Sequence, residues 1–260
     1  MRIRHVAGVL WGLASGPLLA TDATSLAAVT DCMRGNIPPT VRVQSFDLRT
    51  VDRGGGERIL RGRLHAARED DRMRANLRID APADLRDAAY LMRETADGRD
   101  DMFVYLPALN KVRRILGGTR ENPLFGTDFS YNDLRHMQNA FEGANGRLLP
   151  AETVDGRPVH VMEMRELDTE AERYTHLQAW VDQESCVALK VEFHDADGVV
   201  KRLISPAASL ARAGEYWYAG ETTMFDLRAG SHTDLTITGV TSGENIAGRL
   251  FNPSLFYLGN

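Results

Sequence analysis

Hydrophobic and polar positions alternate with a period of two through much of the chain. Leu60, Gly62, Leu64 and Ala66 alternate with Arg61, Arg63 and His65. Met73, Ala75, Leu77 and Ile79 alternate with Arg72, Arg74, Asn76 and Arg78. Alternation of this kind predicts strands with one buried and one wet face. The short polar link Arg68 to Asp71 suits a hairpin between them. Their outer face would carry a stripe of arginines, either simply solvated or a docking surface for an anionic partner.

The same period returns later. Leu177, Ala179 and Val181 alternate with His176, Gln178, Trp180 and Asp182, and Val187, Leu189, Val191 and Phe193 with Ala188, Lys190, Glu192 and His194. Asp97-Gly98, Asp155-Gly156 and Asp197-Gly198 punctuate further apolar runs as turns. The pattern predicts about nine or ten strands joined by short turns, hence a large antiparallel sheet. Helical spacing is confined to Ser25–Arg34, a segment near Ser130–Asn139, and part of Ser205–Arg212. So little helix must still cover one apolar face. A strongly curved sheet with a few helices across its open side meets that demand and leaves an apolar cavity; a sandwich or closed barrel is the alternative.

The first twenty residues read differently. Arg2 and Arg4 precede an uncharged stretch from Val6 to Leu19, and Ala20 ends a plausible cleavage site. This is the layout of a secretory signal peptide over residues 1–20, with a folded domain over 21–260. The apolar stretch is broken by Gly16 and Pro17 and is too short for a comfortable membrane span. No cysteine stands at the cleavage point, so an exported protein that is not itself lipidated is expected. Export bears on the two cysteines, Cys32 and Cys186. In an oxidising compartment they most simply form one disulfide; two buried free thiols are the alternative.

Composition narrows the function classes. The 260 residues carry 31 basic and 36 acidic side chains, a net charge of −5, which argues against a general nucleic-acid binder. No G-x-S-x-G elbow, H-E-x-x-H pair, phosphate loop or G-x-G-x-x-G turn is present, and the histidines show no ligand spacing. No catalytic residue, metal or cofactor is therefore assigned.

The most unusual stretch runs from Met102 to Met137. It holds Tyr105-Leu-Pro, then Lys111-Val-Arg-Arg-Ile115, then Phe125-Gly-Thr-Asp-Phe-Ser-Tyr-Asn-Asp-Leu134. Together with Tyr174, Trp180-Val-Asp182, Phe193-His-Asp-Ala-Asp-Gly198 and Lys201, it resembles the outer-membrane lipoprotein-sorting proteins. These are similar to the LolA/LolB periplasmic carriers. The residues that carry the likeness are Arg113, Arg114, Gly126, Asp128, Ser130 and Asp133; Thr127 and Asn132 depart from the commoner serine and glutamate. The resemblance implies a mainly β (α+β) fold. A single curved antiparallel sheet would form a half-open β-barrel, with a few short helices closing its apolar concave face.

It also implies an exported periplasmic carrier that transfers acyl chains of a lipid or lipoprotein between envelope membranes. An inner-membrane transporter of the RND type and an outer-membrane acceptor would be its partners, with neither nucleic acid nor a membrane span involved. A non-catalytic envelope sensor of the same fold is the alternative. Candidate groove and lid residues are Leu60, Leu64, Leu77, Ile79, Tyr105, Ile115, Phe125, Phe129, Tyr131, Leu134, Leu189 and Val191.

Overall fold

The computed structural model describes residues 24–96, 100–139, 144–166, 174–243 and 248–258. The expected signal peptide, its cleavage site and the Asp97-Gly98 turn lie outside them.

Helix α1 (Leu26–Gly35) begins where the Ser25 hydroxyl accepts a hydrogen bond from the Ala28 amide at 3.1 Å, an N-cap, and stops before Pro38 and Pro39. Strands β1 (Val41–Val51), β2 (Glu57–Glu69), β3 (Arg72–Ala81), β4 (Ala89–Glu94), β5 (Asp100–Leu106) and β6 (Lys111–Ile115) follow as successive antiparallel neighbours. Helix α2 (Tyr131–Asn139) comes next. Then come β7 (Ala144–Val154), β8 (Arg157–Glu166), β9 (His176–Asp182), β10 (Ala188–Asp195) and β11 (Gly198–Ile204). Strands β12 (Leu210–Ala213) and β13 (Tyr216–Ala219) form a separate hairpin, and β14 (Glu221–Asp226) and β15 (Ser231–Gly243) complete the sheet.

Fifteen strands are thus formed by the described residues, against the nine or ten expected. The missed ones include β4, whose first four residues are buried on both faces and so show no alternation, and the short β12 and β13. The helix expected within Ser205–Arg212 is one 3-10 turn, Ala207–Ser209. After it the chain pairs as a hairpin, Leu210 opposite Ala219, and this pairing overrides local helix propensity.

Thirteen strands make one antiparallel sheet in the order β6-β5-β4-β3-β2-β1-β15-β14-β11-β10-β9-β8-β7. The sheet is an open, curved half-barrel, not a closed one. Strands β6 and β7 are consecutive in the chain yet stand at opposite edges. The connection between them must therefore run across the open side, and it carries α2. The main core lies on the concave face, with Phe46, Leu60, Ile79, Met92, Met162 and Phe193 among its members. At Gly62 a Cβ would fall 2.2 Å from the Arg78 carbonyl oxygen and 2.7 Å from the Phe46 ring. The missing side chain is what lets Phe46 pack against β2.

The convex face is only partly wet. The segment 248–257 lies over β3 and β4, burying Ala89 and Leu91 with Leu250, Phe251 and Phe256. Asn76 donates to the carbonyls of Leu250 at 2.6 Å and Phe256 at 3.0 Å, and His65, Asn76 and Arg78 are buried there. The rest of the arginine stripe is matched by acids: Arg61 with Asp47 (3.5 Å), Arg63 with Asp80 (2.8 Å), Arg72 with Asp70 (3.2 Å) and Arg74 with Glu69 (2.8 Å). A stripe neutralised in this way has little field left for an anionic partner.

Candidate functional site

Between the concave face and its cover lies a cavity of about 260 Å³. That is just under the lower end, ~300 Å³, of ordinary small-molecule sites. Strand positions Phe46, Leu48, Leu64, Leu77, Val191, Leu203, Leu235 and Ile237 form its floor. Met33 and Ile37 cover it from α1 and the turn after it, and Leu124, Phe129, Leu134 and Met137 from the β6–β7 connection. Strand β13 of the separate hairpin adds Trp217, Tyr218 and Ala219.

Each piece of cover is fastened by a polar contact. Cys32 of α1 is disulfide-bonded to Cys186, with Cα atoms 5.8 Å apart, and Cys186 itself lines the cavity. Asn36 reaches the hairpin by accepting from the Trp217 amide at 2.9 Å, and donates to the Ser185 carbonyl at 2.7 Å. Arg34 pairs with Glu94 at 2.9 Å.

The β6–β7 connection is fastened most firmly. Residues 124–129 close on themselves through Leu124 N–H to Phe129 O at 2.7 Å, with Phe125 (φ +50°) and Gly126 (φ +80°) in left-handed conformations. Ser130 caps α2: its hydroxyl accepts from the Asp133 amide at 3.0 Å, while the Asp133 carboxylate accepts from the Ser130 amide at 2.8 Å. The fully buried Asp133 also accepts from Lys201 Nζ on β11 at 2.7 Å and from the Tyr174 hydroxyl at 3.0 Å. Asp128 accepts from the Thr233 hydroxyl on β15 at 2.6 Å and from Ser231, and its carbonyl accepts from Lys201 at 2.8 Å. Farther along α2, Arg135 pairs with Asp100 on β5 at 3.0 Å. Burial raises the Asp100 carboxyl above its usual range despite that partner, and raises the Tyr131 hydroxyl to about 12. Asp128 and Asp133 are therefore a latch holding the cover to β15 and β11, near the middle of the sheet.

Of the groove and lid candidates, Leu64, Leu77, Phe129, Leu134 and Val191 line the cavity. Leu60, Ile79, Ile115, Phe125 and Tyr131 are buried in the core around it without reaching it. Tyr105 and Leu189 lie on the convex face. Tyr105 stacks on Tyr257 with centroids 4.2 Å apart. Leu189 packs with Val159, Val161 and Trp180. Its placement follows from a register shift between Ala188 and Lys190, which reverses the alternation and sends Leu189 and Val191 to opposite faces. Among the motif residues, Arg113 and Arg114 are exposed on edge strand β6, and Arg114 pairs with Asp101.

Sequence patterns did not single out Arg42, Gln44 or the hairpin aromatics. Strand β1 lacked the clean alternation of its neighbours, and the aromatic triplet Tyr216-Trp217-Tyr218 has no period of its own. Among the described residues, no cluster of three or more His, Cys, Asp or Glu side chains could hold a metal ion, and no helix is long and apolar enough to cross a membrane.

Comparison with known proteins agrees with this architecture. No curated protein matches the chain. A family model described as "Uncharacterized protein" matches residues 71–256. Among solved structures, an outer membrane lipoprotein-sorting protein domain from Vibrio parahaemolyticus superposes with a TM-score of 0.78 at 24% identity, covering 88% of this chain and 97% of that one. A DUF1329 family protein from Desulfovibrio piger gives 0.78 at 20% identity, over 90% and 100%. A LolA superfamily protein from Nitrosomonas europaea gives 0.68 at 19% identity, over 88% and 98%. The chain belongs to the family whose model spans residues 71–256, and its fold is that of the outer membrane lipoprotein-sorting and LolA superfamily proteins.

Proposed function

We propose that this protein is an exported periplasmic carrier that holds acyl chains of a lipid or lipoprotein in its concave cavity, with residues 1–20 as signal peptide and 21–260 as the binding domain. The observation that carries the reading is an apolar cavity floored by a curved sheet and roofed by separately fastened segments. Each methylene removed from water contributes about 0.8 kcal/mol, so an acyl chain crosses an aqueous compartment only inside a dry enclosure. The cavity is small in its closed form. Longer chains would enter as the roof shifts, and release would follow when a partner favours the open form. Delivery from a membrane transporter to an outer-membrane acceptor, and binding without covalent chemistry, belong to the same proposal.

The mature protein, isolated from its native envelope, should carry lipid or lipopeptide that organic solvent extracts and mass spectrometry identifies. It should also take up a fluorescent fatty acid. Val191→Trp, which fills the cavity, should weaken that uptake at least tenfold, and Ile59→Ser on the exposed surface should leave it unchanged. An empty native protein that also ignores the fluorescent fatty acid would sink the carrier reading.

A further inference from the structure

Five cationic side chains are buried among the described residues: Arg34, Arg42, Arg78, Arg135 and Lys201. Four have a carboxylate partner, respectively Glu94, Asp87, Asp100 and Asp133 for Arg34, Arg78, Arg135 and Lys201. Arg42, 7% exposed, has none among the described residues. Its Nη2 donates to the Asn36 carbonyl at 2.6 Å, and its guanidinium carbon lies 5.3 Å from the centroid of the Tyr216 ring. These two contacts orient the group without neutralising it. A guanidinium remains charged in a protein, and a buried charge without a counter-ion is costly.

The position of this charge is informative. Arg42, Gln44, Phe46 and Leu48 occupy alternate positions of β1 and all line the cavity. Over about 20 Å of strand the lining passes from a cation through an amide to purely apolar side chains. Arg42 and Pro38 also line a second cavity of about 300 Å³, with Thr40, Gly214, Tyr216 and Thr241. The guanidinium thus stands where the apolar cavity meets a more polar one. An amphiphile lying along β1 would place its tail over Phe46 and Leu48 and its head at Arg42.

Resting on the carrier reading, we propose that the ligand is an anionic amphiphile whose carboxylate or phosphate head forms the missing ion pair with Arg42. A planar guanidinium held by stacking presents paired N–H donors suited to either head group. Burial lowers the affinity of this guanidinium for its proton, and an anion beside it would reverse that effect.

The test measures binding of palmitate, monopalmitoyl phosphatidate and the neutral hexadecanol at pH 8, each below the concentration at which it self-associates or separates from solution. Wild-type protein should bind at least one anion about tenfold or more tightly than hexadecanol, as a charge-assisted contact predicts. Whichever anion is preferred identifies the carboxylate or the phosphate as the natural head. Arg42→Gln should remove the preference by weakening the anions at least tenfold more than hexadecanol, and Arg42→Lys should keep part of it. Equal binding of all three by the wild type would overturn this inference and leave the carrier reading standing. So would a preference that survives in Arg42→Gln. Failure of all three to bind would overturn both. Should Arg42→Gln fail to fold, the wild-type series decides by itself.

Discussion

Lys201 is one of only three lysines in the chain, and it is 6% exposed against the fully buried Asp133. Breaking a buried ion pair strands the remaining charge, so Lys201→Met should cost about 3–5 kcal/mol of folding stability. Asp133→Leu also removes the acceptor of the Ser130 amide and the Tyr174 hydroxyl, so it carries a cost of its own. The double variant Asp133→Leu/Lys201→Met should nevertheless cost less than the sum of the two single variants; urea unfolding of all three measures the difference, and strict additivity would argue against a stranded charge. His65 gives a second expectation. Burial on the convex face lowers its imidazole to about 4. Between the unfolded value near ~6.5 and about 4, the unfolded chain binds a proton that the folded one does not, so stability rises with pH over that window. Unfolding free energy should therefore fall as pH drops from 6.5 to 4, and His65→Leu should flatten that slope. At this scale the sequence was partly legible. Asp128, Ser130 and Asp133 stand out as a local pattern because a helix cap and a tight loop are local structures. Their partners Lys201, Ser231 and Thr233 come from remote strands, and no spacing rule connects them. Arg42 was not legible, because an arginine beside valines looks the same whether its carboxylate is present or missing.

Among the elements, those with strict alternation were the ones the sequence announced. Strands β2 and β3 place Leu64 and Leu77 on the cavity side as their period requires. The failures have separate physical causes. In β10 the register shift near Ala188 reverses the faces, so Leu189 leaves the cavity side that Val191 keeps. Strand β4 is covered on both sides, and its hydrophobic run carries no phase. Helices α1 and α2 were legible from spacing, and their task follows from where they are fastened. The Cys32–Cys186 bond closes a separation of 154 residues. Closing so long a loop restricts the unfolded chain strongly, so the double variant Cys32→Ser/Cys186→Ser should lose about 2–5 kcal/mol in urea unfolding. It should also take up a fluorescent fatty acid faster, because α1 is then held mainly by Asn36 and Arg34. Unchanged uptake would place the entry route elsewhere, at the β12–β13 hairpin or the β6–β7 connection.

For the molecule as a whole, the structure reinterprets the charge distribution. Residues 48–78 hold nine arginines against five acids, which suggests a basic face. Acids from other turns and strands, including Asp47, Asp80 and Asp87, reach those arginines and neutralise much of that face. Among the described residues, the buried cation without a carboxylate partner is Arg42, at the polar end of the cavity. The sequence by itself determined the class of fold, because a period of two is a property of each strand alone. It also determined that the apolar face lacked helical cover, and that an aromatic run from Phe125 to Tyr131 leads into a short helical segment. Only the tertiary structure decided which strands are edges, and therefore that the β6–β7 connection must span the open side. It alone decided which apolar residues face the cavity, because a single extra residue in a strand reverses every side chain beyond it. It alone separated Arg42 from the paired buried cations among the described residues, because ion pairing is a matter of distance in space between residues the chain keeps far apart.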